Sequence, residues 1–480
     1  MKTLTHLSKS SNRFIAAIFI AGMSLSGCAT QTASTSVDTG SFSMPTYEQF
    51  KLENGLTVYL MPQREVPLIT VNAVVRAGAV NDTTSGVAGM TAQSLLLGAD
   101  GKSKSEIEQM VDFLGASIYA DAGKEGSYIG ADFMAKDSDK ILPLIQSLLL
   151  SPDFDAAEFD KLRQREIAGL SQAKESPRAV ISRYFDKLIY GSHPYGNASS
   201  GNSVSLDELN ISQLRAFHKS YYQPANTAIS VVGDFDVKQM KSTMEHLFGR
   251  WENSEKVINP ALKSNQPELK NSQVLLVDKS DAIETTFLIG GKGISRDNPD
   301  YVGLKVINTI LGGRFTSWLN DELRVNAGLT YGARSGFIPY SEGGIFRIST
   351  FTKTETTKET IELALKTYAR LWETGVDQKT LDSAKAYVKG QFPPKFETSG
   401  QLAGLLSDMY LYGFDDAFIN DFQSKVDGLT LAEAQRLVST YFPQDNLQFV
   451  LIGNADKIEP IAAEYGDVTR IGIKAVGFGG

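Results

Sequence analysis

Apolar residues alternate or run together along Leu56–Met61 and Thr70–Arg76, and both stretches predict strands. From Ser85 to Leu97 the pattern turns helical. Ser105-Glu-Ile-Glu108 has capping-box spacing and predicts a helix running to Leu114. Strand patterning returns at Ser117–Ala122 and Ser127–Ala135, followed by helical patterning at Ile141–Leu150 and Ala156–Ala173. Strands and helices mix without a regular β-α-β beat, which predicts an α+β class.

The pattern also repeats. Tyr221, Asn226, Gly233 and Asp236 match Tyr441, Asn446, Gly453 and Asp456 at a constant offset of 220, and Asp207 and Leu209 match Asp427 and Leu429 at the same offset. Each copy reads as helix, turn, buried strand and Gly turn. A period this long indicates a duplicated domain rather than a solenoid. The expected halves are residues 46–252 and 271–475. Residues 253–270 between them are polar, carry two prolines and lack apolar periodicity, as a linker does.

The N-terminus has its own pattern. Lys2, Lys9 and Arg13 precede the apolar run Phe14–Leu25, which is short for a membrane span and suited to a signal-peptide core. The run ends in Leu25-Ser26-Gly27-Cys28, which resembles a bacterial lipobox, with Cys28 as the lipidated residue and residues 1–27 removed. Ala29, not Asp, follows the Cys, which points to the outer rather than the inner membrane. Residues 28–45 are rich in Ser and Thr and read as a tether. The expected location is therefore the periplasmic face of a bacterial membrane, held by a lipid anchor.

Composition narrows the chemistry. The 480 residues are 42% hydrophobic and 21% charged, enough apolar matter for full cores. The net charge is −8, and losing residues 1–27 removes three cations and no anion, giving −11. Such a chain is a poor general binder of nucleic acid. A single Cys excludes an internal disulfide framework and any multi-cysteine metal site. Of four His, one lies in the leader, and His193, His218 and His246 form no pair at helical spacing. No Gly-x-Ser-x-Gly elbow and no phosphate-binding Gly-x-x-x-x-Gly-Lys occurs.

Gly86-Val-Ala-Gly-Met-Thr-Ala-Gln-Ser-Leu-Leu-Leu-Gly98 resembles the N-terminal signature of the insulinase/pitrilysin family of metallopeptidases. Active members carry His-x-x-Glu-His there: two His one turn apart hold zinc, and the Glu is general base to the metal-bound water. The matching positions are Gly89, Ala92 and Gln93, and a downstream Glu ligand falls near Gly169, with Glu166 three residues away. These are degenerate motif positions and not ligands, so no metal site is expected in this chain. His193-Pro-Tyr-Gly196 resembles a further family segment, structural rather than catalytic. The fold implied is two homologous domains, each a mostly antiparallel sheet packed with helices.

In the second half, Phe315, Trp318, Leu319 and Leu323 fall on one helical stripe expected to be buried, with Arg324 at the helix end. Gly328 suits the stop, and a strand is expected from Leu329, with Tyr331 near its start. Leu311–Gly332 resembles the family's C-terminal signature, whose Arg and Tyr, seven residues apart, reach the zinc site. Arg324 and Tyr331 match in identity and spacing. As donors they would fix a peptide carbonyl and stabilise the developing oxyanion. The alternative is a helix-end charge and a half-buried strand residue. Gly343, Gly344, Ile345 and Phe346 open a strand that, as an edge, could pair with a peptide, or else is an ordinary sheet strand.

Some bacterial peptidases of this family are split between two chains, one bearing His-x-x-Glu-His and the other only the Arg/Tyr pair. The resemblance implies the second kind: a subunit without zinc that clamps peptide and supplies oxyanion donors, inactive alone, heterodimeric with a zinc-bearing relative. The other reading is a non-enzymatic binding or assembly lipoprotein on the same scaffold.

Overall fold

The computed structural model describes residues 42–254, 257, 262 and 266–479. The expected signal peptide, Cys28 and most of the tether lie outside these residues, as does much of the expected linker. No described helix is long and apolar enough to cross a membrane.

The strands of the two main sheets are numbered in chain order. The first sheet holds β1 (Glu48–Lys51), β2 (Thr57–Pro62), β3 (Leu68–Val75), β4 (Ser117–Ala122), β5 (Ser127–Met134) and β6 (Thr227–Gly233), in the order β1-β2-β6-β3-β5-β4. The second holds β7 (Gln273–Asp278), β8 (Glu284–Lys292), β9 (Arg334–Tyr340), β10 (Gly343–Lys353), β11 (Gln448–Gly453) and β12 (Asp467–Gly472), in the order β9-β10-β8-β11-β7-β12.

Strand by strand, β2, β3, β4, β5 and β6 correspond to β7, β8, β9, β10 and β11. The pairing senses agree as well: β2 with β6 and β7 with β11 are parallel, and the other equivalent pairs are antiparallel. The copies differ at one edge. The N-terminal β1 closes the first sheet antiparallel to β2, whereas the C-terminal β12 closes the second parallel to β7. The protein is α+β with mixed, mostly antiparallel sheets, built twice.

The central strands are buried on both faces, which is why they read as apolar runs. Their period of two splits each strand between two cores. Val58 and Leu60 of β2 join one, and Tyr59 and Met61 join the other. On β11, Val450 and Ile452 join the first core, and Phe449 and Leu451 the second. Each core therefore holds residues from both halves.

Two equivalent helices account for this interlocking. Helix Pro177–Tyr190 starts with Pro at its first turn, where no N–H is needed, and buries Val180, Ile181, Tyr184, Phe185, Ile189 and Tyr190. It belongs to the first half but packs on β8 and β11 of the second sheet. Tyr190 Oη donates to the Gly344 carbonyl at 2.9 Å. Helix Ser399–Tyr412 of the second half packs in turn on β3 and β6 of the first sheet. There Asn72 Nδ2 donates to Ser407 Oγ at 2.9 Å, and the Arg76 guanidinium lies 3.9 Å above the Tyr410 ring.

Some local expectations need correction. The capping box of helix Lys104–Leu114 is Ser103 with Glu106, two residues earlier than Ser105 with Glu108. Ser103 has the extended backbone a cap needs, and its hydroxyl accepts from Glu106 N at 3.3 Å. In the second half the helix begins only at Trp318, because Arg314 and Ser317 are extended. Phe315 thus leaves the buried stripe and is 62% exposed, while Leu319 and Leu323 are fully buried.

Candidate functional site

Helix Val87–Ser94 carries the degenerate metal-motif positions. It starts at Gly86 (φ 94°), and the Asp82 carboxylate accepts from Gly86 N at 2.7 Å and Ala88 N at 2.9 Å. Burial pushes Asp82 up to about 7 despite those two donors and nearby Lys124. Gly89 faces the loop before Asn202: a Cβ there would lie 2.6 Å from the Ser199 carbonyl oxygen. Ala92 is completely buried, and Gln93 is half-buried.

The donor set does not fit zinc. One position has no space for a side chain, the second is a methyl group, and the third is an amide. Gly169 lies on the exposed side of helix Ala156–Ala173, with open space around it, and Glu166 faces the Arg165 guanidinium at 3.5 Å. Among the described residues no three His, Cys, Asp or Glu converge as a metal site.

The histidines have structural surroundings. His193 is buried in the turn His193–Gly196, where its Nδ1 accepts from Tyr195 N and its Nε2 lies 2.9 Å from the Leu262 carbonyl. His218 bonds the Leu149 carbonyl and stacks on Tyr222, and burial lowers its pKa. His246 is exposed.

Arg324 and Tyr331 occupy irregular backbone between a helix and a sheet. Arg324 lies in the π-helical turn Asp321–Asn326, an uncommon geometry often found at functional sites. Its guanidinium stacks on Phe315 at 4.6 Å, so the misplaced aromatic serves as its platform. Gly328 takes the left-handed conformation (φ 64°) that turns the chain back. Tyr331 precedes β9, which begins at Arg334 and not Leu329, and is 83% exposed.

Tyr331 stands at the edge of a cavity of about 450 Å³ between β8, β9, β10 and helix Pro177–Tyr190. Arg178, Arg334, Arg347, Ser349 and Phe351 line it. Sequence reasoning missed these arginines. The available signal was the alternation Arg347-x-Ser349-x-Phe351, which sets polar and aromatic side chains on one strand face.

Gly343, Gly344, Ile345 and Phe346 are not available to pair with a peptide. They lie in β10: Ile345 and Phe346 are flanked by β9 and β8, Ile345 standing opposite both Ile338 and Lys292. Gly343 and Gly344 pair with β9, the Gly344 carbonyl accepts from Gly293 N and Tyr190 Oη, and the Gln266 side chain lies beside Gly343. The edge strand on this side is β9, where Pro339 removes one donor and Tyr340 already bridges to Ser295. The constant register of the hairpin decides this, and the sequence of one strand does not contain it.

A profile described as the peptidase M16 inactive domain matches residues 208–388. A "zinc protease PqqE" from Helicobacter pylori is 23% identical over 83% of this chain and 91% of its own length. A "non-peptidase homolog YmxG" from the same organism is 22% identical over 79% of this chain and 87% of its own length. Among solved structures, a peptidase M16 inactive domain from Pseudomonas fluorescens matches with a TM-score of 0.79 and 26% identity, covering 85% of this chain and 98% of that one.

Proposed function

We propose that this chain is one of the inactive members of the insulinase (peptidase M16) family and works as the zinc-free half of a two-chain peptidase. Its partner would be a His-x-x-Glu-His relative that holds the metal and the general base. This chain would contribute Arg324 and Tyr331 as donors to the peptide carbonyl, and a wall of the substrate chamber. The proposed location is the periplasmic face of a membrane, with Cys28 as the lipid anchor.

The observation that carries the reading is a contrast within the chain. The metal-motif helix is closed by packing at Gly89 and Ala92, whereas Arg324, half-buried on Phe315, and Tyr331, largely exposed at the cavity edge, sit on irregular backbone. A surface held only for assembly has no need of a guanidinium and a phenol at this spacing. That Helicobacter pylori has both a relative named as a protease and one named as a non-peptidase homolog is further support.

The test is hydrolysis of quenched fluorescent peptides with zinc present, by this chain, by the zinc-bearing relative, and by their mixture. A gain in the mixture well beyond the relative alone is expected. A mixture no faster than the relative alone, in spite of a stable complex, would exclude the donor role.

A further inference from the structure

We propose that the cavity beside Tyr331 is a carboxylate-recognition site that takes an acidic side chain or the C-terminal carboxylate of an extended peptide. The proposal deepens the preceding reading and rests on Tyr331 facing substrate.

Strand register builds the site. Arg334 on β9 lies opposite Ser349 on β10, and Gly336 lies opposite Arg347. Arg334 and Arg347 are therefore diagonal neighbours on one face, roughly 7 Å apart at the backbone. At Gly336 a side chain would enter open space, so its absence widens the gap beside Arg347. Arg178 from helix Pro177–Tyr190 closes the cavity from above, its guanidinium 3.3 Å over the Phe351 ring. Three guanidiniums and the Tyr331 phenol thus surround one space.

The charges are only partly balanced from within. Arg178 pairs with Glu284 at 3.1 Å. Arg347 donates to Ser182 Oγ at 2.7 Å, and the nearby Asp186 is held by Lys124 at 2.9 Å. Among the described residues neither Arg334 nor Arg347 forms an ion pair with a carboxylate. Arg347 is half-buried, and burial disfavours its charged form. A ligand carboxylate would offset that desolvation through charge-assisted, bidentate hydrogen bonds, for which guanidinium geometry is suited. The volume of about 450 Å³ admits a side chain or chain end and not a folded domain.

The experiment measures binding of a fluorescein-labelled unstructured peptide to the purified chain without any zinc-bearing relative. The peptide is made with an internal Asp or Asn, and with a free or amidated C-terminus. The carboxylate-bearing forms are expected to bind roughly tenfold tighter than the neutral form, and the form that carries the difference identifies the source. Arg334→Gln, at an exposed position, and Arg347→Gln should each remove the difference, while Arg347→Lys should keep part of it. Equal affinity for all forms, or a difference that survives both Gln substitutions, would overturn the proposal. Because no partner is present, this result is independent of whether the mixture gains peptidase activity.

Discussion

The carbonyl oxygen of Ser199 stands 2.6 Å from the point where a Cβ on Gly89 would lie. That separation is well inside van der Waals contact, and its neighbour is backbone, which cannot rotate away. Position 89 is therefore closed to a side chain by the fold, and its Gly offers no side-chain donor. Gly89→Ala is expected to destabilise the chain by about 1–3 kcal/mol, the usual cost of overpacking. Installing His at positions 89 and 93 with Glu at 92 should give a chain that unfolds at lower temperature and retains no stoichiometric zinc after dialysis. Thermal melts and elemental analysis check both, and a stable zinc-loaded variant would refute the packing argument.

Arg324 and Tyr331 make few contacts that stability depends on: one is stacked on Phe315 and the other is 83% exposed. Arg324→Ala and Tyr331→Phe should leave the melting temperature and the assembly with the zinc-bearing relative unchanged. Turnover of the mixture should fall by on the order of 10²-fold for each, as when an oxyanion donor is removed. Wild-type turnover in both variants would return these residues to the scaffold.

Asp82 gives a pH signature. Its carboxyl is raised from an ordinary 3.8 to about 7 in the folded chain. The folded state then keeps a proton that the unfolded state has lost, so this group's contribution is present below about pH 4 and disappears as pH rises through about 7. Asp82→Asn removes the titration. The unfolding free energy of the wild type relative to this variant should decline between those pH values, measured by denaturant titration. A constant difference would show that Asp82 is ionised throughout.

The exchanged helices Pro177–Tyr190 and Ser399–Tyr412 tie the halves together. Residues 29–254 or 266–480 produced alone should expose an apolar sheet face and bind a hydrophobic dye, since each loses the helix that covers it. Co-produced, the two fragments should associate and regain the native circular dichroism. Independent, cooperatively folding halves would contradict the shared cores.

Much of this was legible one segment at a time. The strands β2 to β6 and the helices Val87–Ser94 and Ala156–Ala173 follow from apolar period and turn residues, because those signals are local. The 220-residue offset exposed the duplication because Gly233 and Gly453 end equivalent central strands. Phe315 failed the pattern because extended residues Arg314 and Ser317 interrupt the helix that the stripe assumed. Gly343–Phe346 failed because whether a strand is an edge depends on which strands flank it.

By itself, then, the sequence determined the class, the duplication, the absence of zinc-donor residue types at positions 89, 92 and 93, and an Arg and a Tyr seven residues apart. These are properties of residue type and separation along the chain. Only the tertiary structure decided that Gly89 is sealed by Ser199, that each half covers the other's sheet, and that Arg178, Arg334 and Arg347 converge beside Tyr331. Those relations join residues as far as 335 positions apart, as Asn72 and Ser407 are, and they are fixed by strand register and helix docking, which no local periodicity encodes.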